Sequence, residues 1–246
     1  MPKITIKDYF LSVVIPVYNE QKRMPKNLDR IIFYLKSKRF KHEIIIVDDG
    51  SRDQTFNVLN KYRKKYPNII VERHTVNKGK GAAVKTGMLK AKGDLVLMTD
   101  CDLSTPIEEI ERLMPYIGKY DVVIGSRRLD DRKVERKPQR YRTFMGSVYY
   151  ETLRLILLPG IKDTNCGFKL FTKKVVKDVF KKQKIKGWGY DAETLFLARE
   201  NGYSIKEMSV KWTHHSGSKV RVLNAAIRTV FELFMIKVND ISGKYN

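Results

Sequence analysis

Short apolar runs punctuate the first half of the chain, and each ends in a polar turn. Residues 11–15, 44–47, 69–71, 95–98 and 122–124 are near-continuous apolar runs with the length of strands buried on both faces. Between them lie segments whose apolar residues recur at helical spacing. Leu28, Ile31, Ile32 and Leu35 mark the first helix, and Phe56, Leu59 and Tyr62 mark one over 55–66 that is ended by Pro67. Further helices are read over 81–91 and 107–117. Such alternation predicts an α/β fold: a mostly parallel central sheet with helices on both faces.

Beyond Gly125 the pattern changes. Residues 127–142 are dominated by Lys and Arg and read as a long basic loop. Residues 144–158 are apolar and aromatic, interrupted by Glu151 and Arg154, and a second such segment over 220–238 carries Arg221, Arg228 and Lys237 among its apolar positions. Helical periodicity does not separate a core helix from one lying in a lipid interface, so both readings stand. The expected division is one α/β domain over 1–219, with the basic loop at 127–142 and an amphipathic interface segment at 144–158. An amphipathic C-terminal helix and tail follow over 220–246.

Composition narrows the class. With 246 residues and 42% hydrophobic content, the chain is long enough for one domain with a substantial core. Its 49 Lys and Arg against 27 Asp and Glu give a formal net charge of +22, which implies an anionic partner: nucleic acid, a membrane surface or phosphorylated substrates. Two cysteines, Cys101 and Cys166, and no evident secretory signal favour a reducing compartment. No run approaches the roughly 18 apolar residues that span a bilayer, so any membrane contact is expected to be peripheral.

The candidate chemistry sits where the strands end. Asp100 and Asp102, one residue apart, follow the run at 95–98, and in open α/β folds ligands bind beyond the carboxyl ends of strands. Two hard oxygen donors there can hold Mg²⁺ or Mn²⁺ and leave coordination positions open for substrate phosphates. An isolated Asp-x-Asp is more often a solvated loop. Here a second acidic pair, Asp48-Asp49, follows 44–47, and Pro16-Val17-Tyr18-Asn19-Glu20 closes 11–15, so three strands deliver polar groups to one rim. Asn77-Lys78-Gly79-Lys80-Gly81 is read as a glycine-permitted turn that brings backbone N–H groups and Lys78 near a phosphate. The dinucleotide fingerprint is incomplete, because Val84 fills its third glycine position, and there is no Walker loop. Cys101 reads as a small packed residue.

As a set these residues resemble the family 2 glycosyltransferases of the GT-A fold, in the dolichyl-phosphate glucosyltransferase and mannosyltransferase branch. The resemblance is carried by the blocks at Pro16–Glu20, Val47-Asp48-Asp49-Gly50-Ser51, Asn77-Lys78-Gly79, Thr99-Asp100-Cys101-Asp102 and Gly125-Ser126-Arg127. It continues through 163–171, Gly187-Trp188-Gly189-Tyr190-Asp191-Ala192-Glu193 and Ser218-Lys219, in the family's order over most of the chain. What it implies is inverting transfer of a single hexose from a nucleotide sugar to dolichyl or another polyprenyl phosphate at the cytoplasmic face of a membrane. Leu103-Ser104-Thr105-Pro106 stands where the mannosyl enzymes commonly carry Leu-Gln, which leans the sugar toward glucose from UDP-glucose and leaves GDP-mannose as the alternative. The eukaryotic members' N-terminal anchor is not seen, so the interfacial segments are expected to replace it.

Carried over by position, Pro16, Tyr18, Asn19, Glu20, Asp48, Asp49, Lys78, Gly79, Asp100 and Cys101 would hold the donor, and Asp100 and Asp102 the metal. Asp191 would orient a hexose hydroxyl, although a helix N-terminus is reason enough for an acid there. The acceptor can be argued from chemistry alone. A hydroxyl nucleophile needs a base, whereas a phosphate monoester is already anionic and needs cations to hold it. Arg127, Arg128, Arg140, Arg142, Lys169 and Lys219 suit that task, since Arg pairs with phosphate in a bidentate fork. His214 and His215 lack metal-ligand spacing. A rival of another class, a basic nucleic-acid-binding protein, is disfavoured because aromatics do not alternate with the basic loop.

Overall fold

The computed structural model describes residues 9–38, 41–130, 157–213 and 222–246. Seven strands form one sheet: β1 (Phe10–Val17), β2 (Lys41–Asp48), β3 (Ile69–Arg73), β4 (Leu95–Thr99), β5 (Val122–Ser126), β6 (Phe168–Thr172) and β7 (Ile205–Ser209). Their order is β3-β2-β1-β4-β6-β5-β7. All pairings are parallel except those of β6, which runs antiparallel to both β4 and β5. The expected mostly parallel α/β sheet is what the chain forms.

The apolar runs explain why the sheet is covered on both sides. Successive side chains of a strand face opposite ways. Leu11, Val13 and Ile15 of β1, Ile44 and Ile46 of β2, and Leu95 and Leu97 of β4 therefore pack on one face. Helices α1 (Met24–Ser37) and α2 (Thr55–Lys65) cover that face, together with the stretch around α4 (Ile110–Leu113). Val14, Ile45, Val47, Val96 and Met98 pack on the other, under α3 (Lys80–Lys90), α5 (Lys173–Lys182), α6 (Tyr190–Glu200) and α7 (Val222–Ile241).

Two elements differ from the sequence reading. The helix expected over 107–117 is broken into 3₁₀ turns at Ile107–Glu109 and Met114–Tyr116 around the single turn of α4. Pro115 accounts for its end, because a proline ring removes an N–H and collides with the carbonyl four residues back. Strand β6 lies inside a block read only for its chemistry, and its reversed direction pairs Thr99 with Phe168 and Met98 with Lys169. That register brings Gly167 beside Asp100 and sets Lys169 at the middle of the sheet.

The segment read over 220–238 is helix α7 over Val222–Ile241, with one face packed in the core and another exposed. Leu233 and Ile236 are packed in the core, whereas Phe231 and Phe234 are 62% and 65% exposed. The basic loop beyond Asp130 and the apolar segment at 144–158, up to 156, lie outside the described residues. No helix among the described residues is long and apolar enough to cross a membrane.

Candidate functional site

The carboxyl ends of β1, β2 and β4 point the same way, and β2 and β4 flank β1 on opposite sides. This is the switch point at which an open α/β sheet leaves a crevice for a ligand. The loops there are laced together. Ser51 Oγ accepts the Asn19 N–H at 2.8 Å, Asn19 Oδ1 accepts the Arg52 N–H at 2.8 Å, and Thr55 Oγ1 accepts the Glu20 N–H at 2.7 Å. Asn27 donates to the Cys101 carbonyl at 2.8 Å, tying α1 to the Asp100 turn. Asn19 (φ 55°) and Leu103 (φ 49°) hold left-handed backbone at the two turns, a strained conformation that collects at functional sites.

The acidic pair after β2 divides its labour. Asp49 is committed to the frame: one oxygen meets His74 Nδ1 at 2.6 Å and the Lys78 N–H at 2.9 Å, and the other accepts the Gly79 N–H at 2.8 Å. These contacts make Asp49, read from the sequence as a nucleoside contact, a brace for the glycine turn. Asp48 is fully buried. Its Oδ1 accepts the Ser51 N–H at 3.0 Å, and its Oδ2, with Arg73 Nε 3.2 Å away, has no hydrogen-bond partner. Glu20 is paired with Arg23, Pro16 is buried within β1, and Tyr18 is half-buried beyond its end.

The glycine turn presents a different lysine from the one expected. Gly79, at φ 104°, takes a conformation closed to side chains, and Lys78 is left exposed. The next residue, Lys80, opens α3 and points inward. Its Nζ lies 2.6 Å from Asp100 Oδ1 and 4.8 Å from the centre of the Trp188 ring. Burial alone would lower its pKa, yet Asp100 and Asp191 outweigh that and hold it above the ordinary lysine value. Neither Lys80 nor Trp188 was singled out from the sequence; a lysine two residues into a glycine turn that opens a helix was the available signal.

Asp100 and Asp102 stand on the turn after β4. The Asp100 N–H donates to the Gly167 carbonyl at 3.2 Å, and Asp102 Oδ1 accepts the Ser104 N–H at 2.9 Å. Among the described residues no group of three or more His, Cys, Asp or Glu encloses a metal site. Two carboxylates and an open side fit a hard divalent ion that completes its shell with substrate phosphate and water. Cys101 between them is buried, and burial first, then the charges of Glu20 and Asp102, push its thiol well above the ordinary range. It is a packed residue and not a nucleophile.

On the far side, Asp191 in the first turn of α6 is buried and paired with the equally buried Lys169, whose ammonium also donates to the Cys166 carbonyl at 2.7 Å. Burial raises the Asp191 pKa, and Lys169 and Lys80 only partly offset it. Lys169, expected from the sequence to hold an acceptor phosphate, is placed with its charge inside the sheet, balancing Asp191. Arg127 is gripped by the buried Asp163, with Nε to Oδ2 and Nη2 to Oδ1 both at 2.7 Å and its own N–H on Oδ2 at 2.9 Å. Its guanidinium, a quarter exposed, lies 5.5 Å from the centre of the Trp212 ring. Arg128 is exposed, and Arg140, Arg142, Lys219, His214 and His215 lie outside the described residues.

A carboxylate pair at the switch point, with braced loops on one side and an arginine after β5 on the other, defines the class: a glycosyltransferase of the GT-A fold. The chain belongs to glycosyltransferase family 2; residues 12–180 match the family described as "Glycosyl transferase family 2". It is 41% identical over 240 residues to the dolichyl-phosphate beta-glucosyltransferase ALG5A of Trichomonas vaginalis, covering 93% of this chain and 73% of that one. It is 32% identical over 249 residues to the dolichyl-phosphate beta-glucosyltransferase of Homo sapiens, covering 96% of this chain and 77% of the relative. Among solved structures, the fold matches Mycobacterium tuberculosis glucosyl-3-phosphoglycerate synthase in complex with Mn²⁺, UDP and phosphoglyceric acid. The TM-score is 0.66 at 17% identity, over 92% of this chain and 78% of that one. The family resemblance read from the motifs is borne out.

Proposed function

We propose that this chain transfers a single glucose from UDP-glucose to dolichyl phosphate or a related polyprenyl phosphate, with inversion at the anomeric carbon. The relatives' names support the sugar and the acceptor, and one feature of the site supports the chemistry. The two buried acids flanking the acceptor side, Asp163 and Asp191, are each paired with a cation, so neither is poised to take a proton from a hydroxyl. An acceptor that arrives as an anion needs no base.

In this reading a phosphate oxygen of the acceptor forms the new bond to the anomeric carbon while the bond to the nucleoside diphosphate breaks, and no proton is transferred. A Mg²⁺ or Mn²⁺ ion on Asp100 and Asp102 supplies charge neutralisation for the departing diphosphate. Asp48 is carried over by position as the contact to the base; it stands buried at the end of β2, with Arg73 3.2 Å from its Oδ2. Arg127, held rigid by Asp163, offers the acceptor phosphate an oriented guanidinium, and Arg128 stands beside it. The exposed phenylalanines of α7 fit a protein that meets its lipid at a membrane surface, on the cytoplasmic side.

The test is a donor panel. Purified protein is given dolichyl phosphate in detergent with labelled UDP-glucose, GDP-mannose or UDP-N-acetylglucosamine, and the labelled lipid is resolved. Label from UDP-glucose alone supports the proposal. Label from GDP-mannose in its place reassigns the donor, and label only on a soluble or protein hydroxyl overturns the acceptor.

A further inference from the structure

We propose that Lys80 is the resident counter-ion of the Asp100 and Asp102 pair, so that a divalent cation enters by displacing its ammonium, which then turns to the donor diphosphate. The inference rests on the metal and diphosphate reading of this site. Lys80 Nζ lies 2.6 Å from Asp100 Oδ1, on a carboxylate oxygen that a metal would also need. The side chain is only 15% exposed, so this is a built contact and not a surface lysine that has wandered in. Asp191 and Asp102 lie within reach of the same charge, while Lys169 behind Asp191 is fixed in its own pair.

Two cations on one carboxylate oxygen repel, so the divalent ion and the Lys80 ammonium cannot both be seated there. A four-carbon stem lets Lys80 swing without moving α3, and the face of Trp188, 4.8 Å away, keeps the ammonium inside the site when it leaves Asp100. A diphosphate gives the displaced ammonium a new anionic partner. Nucleotide and metal therefore reinforce each other's binding, and the coupling is reciprocal. The device would keep the free protein from holding a metal tightly without a donor.

The experiment is titration of the free protein with Mn²⁺, read by the EPR signal of the unbound ion, with and without UDP. Compared are the wild type, Lys80→Met, Lys80→Arg and Asp102→Ala, each first checked for folding by circular dichroism. Lys80→Met is expected to bind Mn²⁺ about tenfold more tightly than wild type without nucleotide, and to lose most of the tightening that UDP produces, within the usual range of such couplings. Lys80→Arg, which keeps the charge, should stay near wild type. If Asp102→Ala weakens Mn²⁺ binding while Lys80→Met leaves it unchanged, the metal site stands and the role of Lys80 is overturned. If Asp102→Ala changes nothing, the metal reading itself falls and this inference with it.

Discussion

Asp100 rests directly on the Cα of Gly167: a Cβ at position 167 would overlap Asp100 Oδ2. The antiparallel register of β6 creates this contact by pairing Thr99 with Phe168, so the carboxylate is aimed by a missing side chain. Gly167→Ala must push Asp100 out of line. The expected outcome is little change in stability, because the added methyl meets the end of a side chain that is one-third exposed and can swing aside, and roughly a hundredfold loss of turnover from the misplaced carboxylate. Thermal unfolding and steady-state kinetics on the same preparation check both, and near wild-type turnover would show that Asp100 needs no such aim.

Helix α7 holds the loop before α6. Glu232 Oε2 accepts the Gly189 N–H at 2.8 Å, and the same carboxylate lies so close to Gly187 that a Cβ there would overlap it. Tyr245 donates to Glu193 at 2.6 Å, and Glu193 in turn accepts the N–H groups of Lys184 and Ile185. Glu232→Ala is expected to cost about 1.5–3 kcal/mol, the worth of a hydrogen bond to a charged acceptor whose donor is left buried. Because Trp188 sits between the two glycines and beside Lys80, its fluorescence should shift in the variant. Glu232→Gln should recover part of the loss.

Burial, aided by the charge of Asp163, pushes the Cys166 thiol up to about 12. An acid whose folded pKa is raised binds more protons folded than unfolded between its two pKa values, so its contribution falls as pH rises through that window. Alkaline stability is therefore expected to drop from about pH 9 toward 12, with a limiting slope for this one group of roughly 1.4 kcal/mol per pH unit. Cys166→Ala should flatten that slope by one proton in pH-dependent urea unfolding. At pH 8 neither Cys101 nor Cys166 of the native protein should react readily with iodoacetamide, and both should react once it is unfolded.

Phe231 and Phe234 project from α7 while Leu233 and Ile236 of the same helix are packed in the core. Replacing both exposed phenylalanines by serine should leave the melting temperature within about 2 °C, since exposed positions change stability little. Co-sedimentation with phosphatidylserine vesicles should fall severalfold, because apolar area at the interface contributes to such binding. Unchanged sedimentation would detach this face from any membrane role.

Much of the frame was legible because buried parallel strands need uninterrupted apolar runs, and β1 to β5 carry them. Strand β6 (Phe168–Thr172) was hidden: Lys169 is its second residue, and a charge inside a strand is intelligible only with Asp191 opposite, nineteen residues beyond the strand's end at Thr172 by way of α5. The site was legible as a set of loops, less so as individual contacts. Asp48 and Asp49 are equivalent in sequence, yet Asp49 braces Gly79 while Asp48 turns to the Ser51 N–H and Arg73, a division set by the path of the 77–79 turn. In the same way, the left-handed Gly79 decides that Lys80 and not Lys78 meets Asp100.

The most direct measurement is incorporation of label from UDP-glucose into organic-extractable dolichyl phosphate product, with EDTA and then with Mn²⁺ restored. The account predicts a lipid-linked glucose that appears only when the cation is present and is lost in Asp102→Ala. Equal incorporation in EDTA, or no labelled lipid under any condition while the protein binds UDP-glucose, would contradict it.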